Sequence, residues 1–187
     1  MTKSAVGSSK VLPDPARDHL RGPAGAKYSL VEYSDYESTS CADAHWVVKE
    51  LVAELGDDLC VVVRNLPDPK EHAHAQAAAE AAEAADAQGK FWLMHDRIFE
   101  HQAQLDPQHL ATYAREISLD MTTFERDLRS GAPARRVAED VASARHLGIH
   151  DPPTFFVNGA PYPGPKEFLP LLRALQGSDA GHDRLDK

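Results

Sequence analysis

The chain has only two cysteines, Cys41 and Cys60, in 187 residues. Two cysteines so far apart give neither a disulfide framework nor a thiolate zinc cluster. No Lys/Arg cluster offsets a formal net charge of −9. An acidic chain repels phosphate backbones and anionic headgroups, so neither nucleic acid nor a membrane is expected as a partner. Long apolar runs are missing too. Nothing approaches a membrane span, and Met1–Leu20, with Lys3, Lys10, Asp14, Arg17 and Asp18, contains no signal-peptide core. These absences set the expectation of a cytoplasmic chain with reduced thiols. No glycine-rich loop follows a predicted strand, so a nucleotide cofactor has no support.

What is present is a core. Apolar residues make up 42% of the chain, which argues against global disorder. Residues 1–25 are rich in Gly, Pro and Ser without a period and read as a flexible arm. Tyr28–Ser34 reads as a strand. Ala44, Val47, Val48, Leu51, Val52 and Leu55 then recur at helical spacing, with Ser38-Thr39-Ser40 as N-cap and Gly56 as stop. Leu59–Leu66 is continuously apolar enough for a strand covered on both faces, ended by Pro67 and Pro69. Cys60 lies inside it and reads as a small buried hydrophobe. Strand, helix, strand makes a βαβ unit, so the two strands should be parallel.

Helical character follows from His72 to Gly148. Ala73–Ala87 is alanine-rich, Phe91, Met94, His95, Ile98 and Phe99 form a stripe, and further helices are predicted at 107–117, 121–130 and 134–147. Strand signals return at Thr154–Val157, Asn158-Gly159 marks a hairpin, and Phe168, Leu171, Leu172 and Leu175 stripe a last helix. The order is that of an α/β thioredoxin-like fold with an all-helical insertion. Residues 26–69 and 148–176 form the core, 70–147 the insertion, and 177–187 a flexible tail.

Three segments carry a family resemblance: Leu30–Glu37, Gln88-Gly89-Lys90-Phe91-Trp92, and Pro153–Gly159. They bracket the insertion in order, and over about Asp18–Leu175 the chain resembles the DsbA-like thiol–disulfide oxidoreductases. The resemblance implies a Cys-Pro-aromatic-Cys motif at the start of the first helix, faced by a cis-proline at Pro153. The helix start favours a thiolate there, which attacks a disulfide and is then resolved by the second cysteine. The backbone of the residue before the cis-proline bonds an incoming peptide.

The sequence departs from that pattern twice. Ser38, Thr39 and Ser40 stand where the attacking cysteine, proline and aromatic belong, and only Cys41 remains. In Asp151-Pro152-Pro153, Pro152 has no N–H to offer a peptide, whereas the family commonly carries Gly-Thr-Pro or Gly-Val-Pro. Cys41 and Ser38 are the candidate catalytic residues; Thr39, Ser40, Pro152, Pro153 and Thr154 are the candidate binding residues. For Cys41 the alternative to a monothiol nucleophile is an inert buried side chain. For Ser38 the alternative to a catalytic hydroxyl is an ordinary N-cap. The small, polar Thr39 and Ser40 predict that Cys41 is more exposed than its family counterparts and slowly reactive.

Three functional classes follow: a degenerate oxidoreductase with weak monothiol chemistry at Cys41; a non-catalytic binding protein using the groove beside Pro153; and a kappa-class-like transferase or isomerase holding glutathione or another small thiol at Ser38. The expected partner is a thiol-containing protein or a small thiol, with no resident cofactor. His72 and His74, two apart on a helix, point about 200° apart and cannot chelate one ion. His45, His95, His101 and His109 lack ligand spacing, so no metal site is expected.

Overall fold

The computed structural model describes residues 10–177. Five strands form one sheet in the order β1-β3-β2-β4-β5: β1 (Leu20–Arg21), β2 (Tyr28–Ser34), β3 (Leu59–Asn65), β4 (Thr154–Val157) and β5 (Ala160–Tyr162). β2 and β3 are parallel, in register from Tyr28 opposite Leu59 to Ser34 opposite Asn65. Helix α1 (Thr39–Leu55) makes the crossover between them. β4 runs antiparallel to β2, and β5 folds back on β4.

Alternate side chains of β2 go to opposite layers. Leu30 packs with Ala44, Val48 and Leu51 of α1 and with Leu171 and Leu175 of α7 (Phe168–Gly177). Val31 and Tyr33 pack on the other face with Val62, Phe156, Ala144 and Ile149. Phe155 and Phe156 point to opposite faces and are both fully buried. Each such side chain is worth about 1.5–3 kcal/mol relative to exposure.

The insertion consists of α2 (Ala75–Asp86), α3 (Phe91–Glu100), α4 (Pro107–Glu116), α5 (Met121–Ser130) and α6 (Ala132–His146). The alanines of α2 allow close helix approach and pack with Phe91, Met94, Ile98, Leu110, Phe124 and Val137. Helix α2 begins at Ala75, and α6 begins at Ala132, two residues earlier than its pattern indicated. Gly148 follows α6 with φ of +71°, the left-handed turn that glycine tolerates.

The expectation of a free arm over 1–25 is corrected for residues 10–25. Val11 is buried and its N–H donates to the Gly159 carbonyl at 3.0 Å. Asp18 binds Arg64 of β3 through two contacts, Nε to Oδ1 at 3.0 Å and Nη2 to Oδ2 at 2.8 Å. β1 pairs antiparallel with β3. Gly22 then passes so close to β3 that a Cβ would lie 2.1 Å from the Leu59 carbonyl oxygen. This segment is held by a two-residue strand and ion pairs, features that leave no hydrophobic period. Residues 1–9, and 178–187 of the tail, lie outside the described residues.

Candidate functional site

The C-terminal end of β2 leads through Asp35-Tyr36-Glu37 into the first turn of α1. Tyr33 of β2 is registered with Thr154 of β4. Thr154 opens β4, so Pro153 just before it lies at the same end of the sheet as the start of α1. The Pro152–Pro153 bond is cis. Thr154 donates its hydroxyl to the Asp151 carbonyl at 2.7 Å, bracing the turn.

Ser38 is the N-cap of α1, in extended conformation, and its hydroxyl accepts from the Cys41 N–H. It is 9% exposed. Thr39 and Ser40 face outward and are exposed. Gln102, just beyond α3, donates its amide to the carbonyls of Tyr36 and Ser38 at 2.9 and 2.7 Å, tying the insertion to the helix start.

Cys41 is completely buried, which overturns the expectation that it is exposed. Thr39 and Ser40 are exposed and stand outside the core that covers the sulfur, so their small size does not uncover it. That cover is the insertion core, to which Cys41 belongs together with Tyr36, and the Asp35 N–H, which donates to Cys41 Sγ at 3.3 Å. Burial, with the nearby Glu32, pushes the thiol up to about 11. Cys60 is buried as expected.

Two groups near the sulfur were not picked out from the sequence. Glu32 of β2 is buried, its Oε1 lacks a partner, and burial pushes its carboxyl up to about 7. Asp35 accepts from the N–H groups of Glu37 and Asp68 and contacts His72 Nδ1 at 3.0 Å. The His72–Asp35 bond raises the His72 pKa. His74 goes instead to Glu37, so these two histidines serve separate carboxylates.

The remaining histidines are not all scattered. Helices α1 and α3 bring His45 and His95 together, ring centroids 5.2 Å apart, among Phe99, Trp92 and Tyr36. Burial lowers the pKa of both, His45 to about 4. Fifty residues separate them, so no spacing rule could find the pair.

A cleft of about 340 Å³ opens at the same sheet end. Leu66, Pro67, Val141 and Ile149 give it apolar walls, and its charged lining is Lys70 and Arg145 against one carboxylate, Asp68. His150, also on its rim, lies three residues before Pro153.

A βαβ unit, an antiparallel hairpin entered through a cis-proline and a helical insertion over the helix start define a thioredoxin-fold protein. Residues 15–176 match the family model described as thioredoxin. The chain belongs to the thioredoxin family. A thioredoxin-like oxidoreductase from Silicibacter pomeroyi DSS-3 superposes with a TM-score of 0.78 at 28% identity, over 89% of this chain and 94% of that one. BdbD from Bacillus subtilis shares the fold at 19% identity, with a TM-score of 0.80 over 93% and 99% of the two chains. Among curated sequences, the Na(+)/H(+) antiporter NhaA 1 of Salinispora arenicola is 42% identical over 90% of this chain, and NhaA of Herminiimonas arsenicoxydans 44% identical over 90%. The chain spans only 26% and 27% of the length of those two antiporters. No helix among the described residues is long and apolar enough to cross a membrane.

Proposed function

We propose that this DsbA-like chain is a non-catalytic binding module that has lost dithiol exchange and engages an extended protein segment beside Pro153. The observation that carries the reading is the state of position 41. The one cysteine left in the motif is fully buried, with its thiol held near 11, behind a serine that caps the helix. A thiol in that state does not attack disulfides at neutral pH.

Monothiol chemistry at Cys41 loses its support with the sulfur's exposure. The transferase reading loses support because Ser38 is nine-tenths buried and its hydroxyl is used by the Cys41 N–H. What supports a binding role is the surface at this end of the sheet. Thr39 and Ser40 are exposed at the helix start, and the cleft at that sheet end combines apolar walls with Lys70 and Arg145. That combination suits a segment carrying apolar and acidic side chains.

Reduced, thiol-blocked insulin B chain is a suitable probe, followed by amide chemical shifts of the labelled protein. The expected shifts cluster at Ser40, Thr154, Leu66 and Lys70. Shifts scattered over the surface, or none at millimolar peptide, reject the reading.

A further inference from the structure

His45 and His95 lie outside the peptide-binding surface, and packing alone does not account for both. His45 is 3% exposed, and its Nε2 is a buried nitrogen with no hydrogen-bond partner. Leaving a polar atom so placed costs about 1–3 kcal/mol, so an unpaired imidazole lone pair in a core needs a reason. His95 is 4% exposed and keeps its Nδ1 against the Tyr36 hydroxyl at 2.9 Å. Asp96, the next residue of α3, is half-buried. One ligand atom from each of His45, His95 and Asp96 lies within 4.8 Å of the other two.

We propose that His45, His95 and Asp96 form a binding site for a first-row transition metal of the Zn²⁺ type. Two imidazoles and a carboxylate are a donor set that Zn²⁺ accepts, with water in the fourth position. Ligands at about 2.1 Å in a tetrahedron stand about 3.4 Å apart, so small side-chain rotations close the cluster from its present spacing. Tyr36 plays the outer part. By accepting from Nδ1–H of His95, its hydroxyl leaves Nε2 as the metal-binding nitrogen.

Arg21 and Lys49 are the competing cations, and of the two Arg21 holds the carboxylate. Its Nη2 lies 2.9 Å from both Asp96 oxygens. The guanidinium also sits over the Trp92 ring, 4.2 Å from the centroid, and reaches the Trp92 carbonyl at 3.5 Å. Trp92 therefore helps hold Arg21 in place, and one carboxylate oxygen can turn to the metal while the other stays with Arg21. Ligating carboxylates are commonly hydrogen-bonded in this way. On the solvent side of His45 stands Trp46, which is 48% exposed, with Lys49 over its ring at 5.0 Å. The metal would join α1 of the thioredoxin core to α3 of the insertion, one turn below Cys41.

The test is competition for Zn²⁺ against a chromophoric chelator, using the full chain. Wild type is expected to take one equivalent, and His45→Phe and His95→Phe, which keep an aromatic ring in place, each to lose it. Tyr36→Phe should weaken binding about tenfold, as loss of an outer partner does. His109→Ala, on the exposed face of α4, should bind like wild type. Wild type that takes up no zinc, or binding that survives both phenylalanine variants, overturns the proposal. Should those variants fail to fold, the imidazole ¹⁵N shifts of wild type decide: movement at His45 and His95 on adding Zn²⁺ supports the site, and unchanged shifts overturn it. None of these readouts depends on peptide binding, so either proposal can fail without the other.

Discussion

The backbone N–H of Asp35 points at the sulfur of Cys41, 3.3 Å away, from the loop that precedes the helix carrying that sulfur. The contact is part of the cover over a fully buried thiol, and it is made by backbone that no side-chain substitution at 39 or 40 can remove. The same N–H would stabilise a thiolate, yet burial and Glu32 outweigh it.

Native protein should therefore show no thiol reactive toward an aromatic disulfide. With a pKa of about 11, Cys41 is a thiolate in about one molecule in 10⁴ at pH 7, roughly a hundredfold below an unperturbed thiol. Cys60 is buried as well. Absorbance titration should read zero equivalents in buffer and two in denaturant. One fast equivalent in buffer, lost in Cys41→Ala, would restore the monothiol reading.

Insulin reduction should show no turnover above a blank, because the attacking position is Ser38. Ser38→Cys places a thiol at a helix start, where the dipole lowers its pKa. Only partial recovery is expected from it, since Cys41 stays buried and Pro152 still lacks an N–H. Full activity from this one change would show that the surroundings of Cys41 and Pro152 matter little.

Glu32 makes stability fall as pH rises. Its folded pKa, about 7, exceeds the ordinary 4.5, so the folded state keeps a proton that the unfolded state releases. Between those values each pH unit removes stability, and above pH 7 the loss levels off at up to about 3 kcal/mol. Glu32→Gln removes the ionisation, so its urea midpoint should exceed that of wild type at pH 8 by more than at pH 4.5. Curves that stay parallel across this range would exclude a raised Glu32.

The Asp18–Arg64 pair predicts a large effect from the segment before β2. Both side chains are buried, and removing one charge strands the other, which costs about 3–5 kcal/mol. Asp18→Asn should show that loss in chemical denaturation. Arg129→Ala, at an exposed pair with Glu125, should stay within about 0.5 kcal/mol of wild type.

What the sequence disclosed and what it withheld divide along a physical line. The limits of α1 were legible because a capping serine and a terminal glycine act locally, and the β4–β5 hairpin because Asn158-Gly159 suits only a tight turn. The order of elements gave the sheet and the insertion. Withheld were properties that arise when distant segments meet: the cover over Cys41, the burial of Glu32, the approach of His45 to His95. Residues 10–25 were misread for a related reason. Their anchors are single residues, Val11, Asp18 and Gly22, each matched to a partner at least 35 positions away.

Position 38 carries one consequence for how such a chain can change over time. Ser is among the best N-caps, and replacing one with a non-capping residue costs about 1 kcal/mol. Here the serine bonds the N–H of Cys41 itself. A lineage that returned a cysteine to this position would give up that bond while regaining only part of the thiol's use, because the second sulfur stays covered until other positions move. The first step back is thus selected against on stability alone, and the route from serine to a working dithiol runs uphill.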